Sequence, residues 1–136
     1  MIDLQNLSYA VVQVVHNFGA AAVVGGAAFM LLAAPLDLSV QRKTAWIAGG
    51  GWLAQILSGI GFGVISYTGD GTLPDIHGIA VAALYIKILC ATGGVMAAFM
   101  LVRYASGWRE ERCRGAWQLL LVLGVVALTS AAFLRW

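Results

Sequence analysis

Long apolar runs alternate with short polar segments along this chain, and each run is long enough to cross a lipid bilayer. A transmembrane helix needs about 20 mostly apolar residues at a rise of about 1.5 Å per residue. Counted in this way, the pattern predicts four membrane spans, at about residues 9–34, 46–67, 76–102 and 116–134.

The segments between the runs are short, and this predicts how the spans are arranged. Pro35 cannot continue the first helix, so we expect that helix to end there. Connections over residues 36–45, 68–75 and 103–115 force successive helices to run antiparallel. The sequence therefore predicts an all-α, up-down-up-down bundle in which residues 1–136 form a single transmembrane domain.

Basic residues are unevenly distributed among the connections. Six of the eight Lys and Arg residues lie in the first and third connections, whereas the second contains two acids and no base. Cytoplasmic loops of membrane proteins carry an excess of Lys and Arg. We therefore predict a multi-pass protein of the bacterial inner (cytoplasmic) membrane, with both termini and residues 68–75 on the periplasmic side.

The composition indicates which partners to expect. The chain is 61% hydrophobic and 10% charged, with a mean hydropathy of +0.88 and 17 glycines. Glycine lets membrane helices approach closely, and a net charge of only +2 gives no basic surface for nucleic acid. The expected partners are the lipid bilayer and other membrane subunits or further copies of this chain.

A polar segment interrupts the first apolar run. Gln13, His16 and Asn17 are spaced i, i+3, i+4, which places them on one side of a helix. His16 would lie about 10 Å below the outer surface, where ionisable groups are costly and usually functional. A neutral imidazole needs partners at both nitrogens. We predict a ligand-binding or proton-handling role for His16, against the alternative of a satisfied packing histidine.

Other polar residues fall in the same outer half of the predicted bundle. Lys87 would lie about 15 Å deep, too far for its stem to reach either surface, so it must pair, lose its proton or face water. His77 would lie at the outer mouth, while Ser58, Thr129 and Ser130 are expected to bond between or within helices. These positions predict an outer-half pocket around His16 and Lys87.

Two segments resemble known membrane families. The stretch from His16 through Gly25-Gly26 to Phe29 resembles the opening helix of CopD-type (copper resistance D) domains, and Leu84-Tyr-Ile-Lys87-Ile-Leu is similar to a later helix of that family. More distantly, HemJ-type haem-binding proteins also carry a His in the first helix and a Lys in a later one. The first resemblance implies copper handling at the inner membrane, and the second implies haem b and redox chemistry. Both imply roles for His16 and Lys87.

Three functions follow from these observations. The first is a small redox or electron-transfer subunit that binds a b-type haem, with His16 as axial ligand and His77 as a possible second one. Lys87 or Arg135 would balance the negative charge of a haem propionate. The depths of the two histidines differ by about 10 Å, which helix tilt only partly absorbs. The remaining pocket residues would be Gln13 and Asn17.

The second function is copper uptake or binding, with His77 and Asp75 meeting the ion and His16 receiving it deeper. The third is a cofactor-free structural subunit of a membrane complex, which the glycine-rich helices favour. No hydrolase triad, phosphate loop, zinc spacing or paired catalytic carboxylates appear in the sequence. An enzymatic role is neither predicted nor excluded.

Overall fold

A computed structural model describes residues 4–33 and 37–134 of the chain. Within these ranges all four predicted helices are present, and each is long and apolar enough to cross a membrane. The prediction of four helices of transmembrane length is therefore confirmed. The elements are α1 (Leu4–Leu32), α2 (Leu38–Asp70), α3 (Ile79–Tyr104), a turn of 3-10 helix (Ala105–Gly107) and α4 (Glu110–Ala132).

Two of the predicted connections are shorter than expected, because charged residues there belong to helices. α2 begins at Leu38, where the carboxylate of Asp37 caps it by accepting from the backbone N–H of Ser39. α4 begins with Glu110 and Glu111, whose negative charge suits the first turn of a helix. The predicted loop over residues 38–45 is thus wrong. The predicted end of the first span, at Ala34 and Pro35, lies outside the described residues.

The second connection begins later than predicted and ends later. α2 ends at Asp70, and Gly71 follows in the left-handed region with a φ of 71°. α3 starts at Ile79 rather than at Ile76. Residues 71–78 therefore form the loop, and His77 lies in that loop rather than in the first turn of the helix.

The helices pack in a ring, in which α1 and α3 each contact both α2 and α4. Small residues allow the closest approaches. A Cβ on Gly19 would lie 2.9 Å from the carbonyl oxygen of Gly51, and a Cβ on Gly51 would lie 2.8 Å from that of Gly19. The indole of Trp52, only 1% exposed, packs directly on the backbone of Gly94. The other large buried side chains of this core are Trp117, Leu101, Leu120 and Val23.

Candidate functional site

The candidate site joins three helices through one histidine. His16 comes from α1, Ser58 from α2 and Lys87 from α3. The close contact between Gly19 and Gly51 lies about one turn from His16 along α1 and brings the first two helices together. Because no side chain separates the two backbones there, the imidazole reaches the hydroxyl of Ser58 directly.

The imidazole of His16 is bonded at both ring nitrogens. Its Nδ1 lies 2.7 Å from Ser58 Oγ, and its Nε2 lies 3.0 Å from Lys87 Nζ. The hydroxyl of Ser58, in turn, donates to the backbone carbonyl of Ala54, one turn earlier in α2. These contacts form a single chain of polar groups across the bundle, from Lys87 through His16 to Ser58.

One arrangement of protons satisfies all of these groups. In it the Ser58 hydroxyl gives its one proton to the Ala54 carbonyl, and Ser58 Oγ accepts from Nδ1 of His16. The Nε2 lone pair of the imidazole then accepts from the amine of Lys87. Groups from two other helices thus hold His16 in one orientation.

Two neighbours of His16 were not singled out in the sequence. The Gln55 side chain is buried and donates to the backbone carbonyl of His16, which adds a second link between α1 and α2. The ring of Phe62 meets the imidazole edge-on, with ring centroids 5.8 Å apart, and Tyr9 stacks on Phe62 at 6.3 Å. These rings cover His16 on one side.

A helical pattern in α2 could have revealed these residues. Gln55, Ser58 and Phe62 are spaced i, i+3, i+7 and share one face of the helix. The sequence predicts a packing role for Ser58. In the structure Ser58 joins two helices and also orients the histidine, so packing and orientation are both served by one hydroxyl.

The other predicted site residues that the structure describes form their hydrogen bonds and ion pairs away from the His16 imidazole. Gln13 and Asn17 are exposed and bond to each other at 2.8 Å. His77 is 82% exposed and pairs with Asp75 at 2.8 Å in the 71–78 loop. Arg135 lies outside the described residues. The hydroxyls of Thr129 and Ser130 donate to carbonyls of their own helix.

The site differs in kind from a preformed metal centre. Within residues 4–33 and 37–134, no group of three or more His, Cys, Asp or Glu side chains is placed to hold a metal ion. Cys90 and Cys113 are free thiols buried in the bundle. The chemistry available at the site is that of an imidazole, an amine and a hydroxyl in apolar surroundings, which can hold a proton, an anion or a single axial metal bond.

Comparison with known proteins adds no further assignment. The chain matches no family model, no curated protein and no solved structure. The resemblance to CopD-type and HemJ-type proteins therefore stays a prediction, and functional inference rests on the geometry around His16.

Proposed function

We propose that the chain is a small redox subunit of the bacterial inner membrane that binds a b-type haem through His16. The observation that carries this proposal is the orientation of the imidazole by Ser58. An axial histidine usually donates its second N–H to a neighbouring acceptor, which fixes the tautomer and leaves a lone pair for the iron. Ser58 Oγ, 2.7 Å from Nδ1, can be such an acceptor, and Nε2, which lies 3.0 Å from Lys87 Nζ, would then be the nitrogen that meets the iron.

Lys87 is the residue that has to move for this function. Its amine holds Nε2 of His16 at 3.0 Å. The lysine stem is flexible, so the ammonium can leave the nitrogen and pair instead with a carboxylate of the ligand. A haem would supply one-electron chemistry and two propionates. Lys87 would then balance one of these charges within the bilayer.

The second axial position would not be filled by His77. That side chain is largely solvated and already paired with Asp75, whereas His16 is partly buried among three helices. We therefore propose a site with His16 alone, or with a partner other than histidine. Asn17 and Gln13 would not bind the iron. They would belong to the exposed side of α1 next to the site.

Other subunits are part of the proposal. Gln13 and Asn17 are exposed in the middle of an apolar helix, and their mutual bond uses only one donor and one acceptor. Phe18, beside them, is 74% exposed. Amides that face lipid are costly, and hydrogen bonds to another membrane helix satisfy them. We propose that this side of α1 is covered by another subunit or a second copy of the chain, as electron transfer would also require.

The proposed topology is up-down-up-down, with both termini and residues 68–75 on the periplasmic side. Contacts between α1 and α2 support the antiparallel arrangement, because residue numbers rise along one helix as they fall along the other: Gln5 bonds to Asp70, and Gly26 faces Thr44. The basic first and third connections support the orientation.

Copper binding is the alternative function. Its supporting observation is the exposed pair of His77 and Asp75, which could meet an ion at the loop. The amine at His16 Nε2 favours haem over copper, because an ammonium repels a cation but attracts a propionate. The remaining alternative is a structural subunit without a cofactor. It would require only helix faces rich in small residues that can pack against other membrane helices.

Haem titration of the purified chain in lipid nanodiscs tests the proposal. We expect the wild type and His77→Ala to bind haem with a shifted Soret band, and His16→Ala to lose it. His77→Ala is the matched control, since it removes the same side chain outside the bundle. Equal binding by wild type and His16→Ala would contradict the proposal. Copper retention that depends on both histidines, without haem binding, would favour the copper function.

A further inference from the structure

A groove on the outside of the bundle lies between α3 and α4, near the third connection. Its volume is about 360 Å³, and it is lined by Ala97 and Met100 from α3 and by Gly115 and Leu119 from α4. Trp108 and Arg112 border its end near the connection. The groove is thus apolar along most of its length and cationic at one end.

Small residues keep the groove open. A Cβ added to Gly115 would meet no atom within 4 Å, and Ala97 is buried at the base. From Arg112 to Leu119 the groove follows α4 for about 10 Å, at a rise of about 1.5 Å per residue. Met100, a flexible apolar side chain, can adjust its shape to whatever fills this space.

Arg112 is held at the end of the groove with its donors available. Its guanidinium carbon lies 4.7 Å from the centroid of the Trp108 ring, a cation–π contact, and the side chain is exposed. Within the described parts of the chain, Arg112 takes part in no ion pair. A planar guanidinium suits two parallel hydrogen bonds to a phosphate.

We infer that this groove binds an anionic phospholipid, with one acyl chain along the apolar residues and the phosphate on Arg112. The groove and an anionic phospholipid are complementary in both charge and shape. Arg112 lies at the end of the bundle, where lipid headgroups are found. The apolar part of the groove leads from Arg112 along the membrane-spanning part of α4. Basic pockets between helices at this level are typical sites for anionic lipids. The inference does not depend on haem binding.

Native mass spectrometry of the full chain tests this site. The protein is purified in detergent with equal amounts of phosphatidylglycerol and phosphatidylcholine. We expect one phosphatidylglycerol to be retained in preference to phosphatidylcholine. Arg112→Gln should reduce retention about tenfold, as loss of a charge-assisted pair predicts. Gly115→Leu should reduce it similarly by filling the groove.

Two matched variants separate this site from general effects. Arg114→Gln removes the same charge about 200° further around α4, and Gly50→Leu adds the same side chain at an exposed glycine of α2 that has no neighbour within 4 Å. Both should retain the lipid like the wild type. Equal retention of the two lipids, or equal losses in Arg112→Gln and Arg114→Gln, would overturn the inference. Because Arg112 is exposed, its variant gives a result even if Gly115→Leu does not fold.

Discussion

The contact between Trp52 and Gly94 and the contact between His16 and Lys87 both reach α3, yet they depend on different forces. At the first, a buried indole ring packs on a helix backbone, and its Nε1 has no hydrogen-bond partner among the described residues. At the second, hydrogen bonds hold an imidazole and an amine in partly buried positions. Shape determines the first contact, and polar chemistry determines the second.

This difference separates a contact that serves packing from one that the proposed function would use. Close packing of apolar side chains stabilises a bundle and tolerates few changes in volume. A buried charge or imidazole costs desolvation energy, and apolar residues of similar size often replace such groups without loss of stability. Packing alone accounts for the Trp52 contact, and the desolvation cost of the polar groups around His16 fits the function that we propose for them. Substitutions at the two contacts should separate the two roles.

The largest effect on stability is expected at Gly94→Ala. The new methyl group would overlap the ring of Trp52, which is buried and cannot easily move. Overpacking of this kind typically costs about 1–3 kcal/mol. Unfolding of the purified protein in mild detergent measures the change. Gly59→Ala is the control, because its methyl meets nothing within 4 Å, and it should leave the free energy of unfolding unchanged or slightly raised.

A smaller effect on stability is expected at Ser58→Ala. This substitution removes the bond to His16 Nδ1, and hydrogen bonds between membrane helices are worth about 0.6 kcal/mol on average. Haem affinity should fall further, by about 10–100-fold, since the orienting partner of the ligand is lost. Detergent unfolding and haem titration measure the two quantities. A loss of stability as large as that of Gly94→Ala, with haem affinity unchanged, would assign Ser58 to packing.

The smallest effect on stability is expected at Lys87→Met. The thioether fills a similar volume and removes an amine from apolar surroundings, which offsets the loss of the bond to His16 Nε2. The free energy of unfolding should change by less than the roughly 0.6 kcal/mol expected for Ser58→Ala. The midpoint potential of bound haem should fall, because a nearby positive charge favours the reduced, less positive iron. Redox titration of the haem-loaded protein measures this shift. A strongly destabilised variant would contradict a functional role.

Helix number and approximate position could be predicted from hydropathy, but helix ends could not. The apolar runs mark only the part of a helix that lies in hydrocarbon, and charged residues continue α2 and α4 beyond it. At the start of α2, Arg42 and Lys43 are exposed while Gln41 and Thr44 are buried. This pattern is that of an amphipathic helical turn, and an average over hydropathy does not reveal it.

The proximity of His16 and Lys87 was predictable, but the direction of the polar residues around α1 was not. Counting residues placed His16 about 10 Å and Lys87 about 15 Å below the outer surface, and in the structure their side chains are in contact. The face of α1 that meets its neighbours includes His16 and Gly19, and Gln13 and Asn17 lie about 60° and 100° around the helix from His16. The spacing of three polar residues could not show that this face ends at His16.

The most direct measurement of the central claim is a reduced-minus-oxidised visible spectrum of the protein purified from cells supplied with haem. If His16 is the axial ligand of a b-type haem, the wild type will show Soret and α bands in near-stoichiometric amount, and the His16→Ala protein, purified in the folded state, will show neither. A wild-type protein with no such bands, in cells that load haem into other membrane proteins, would contradict the claim.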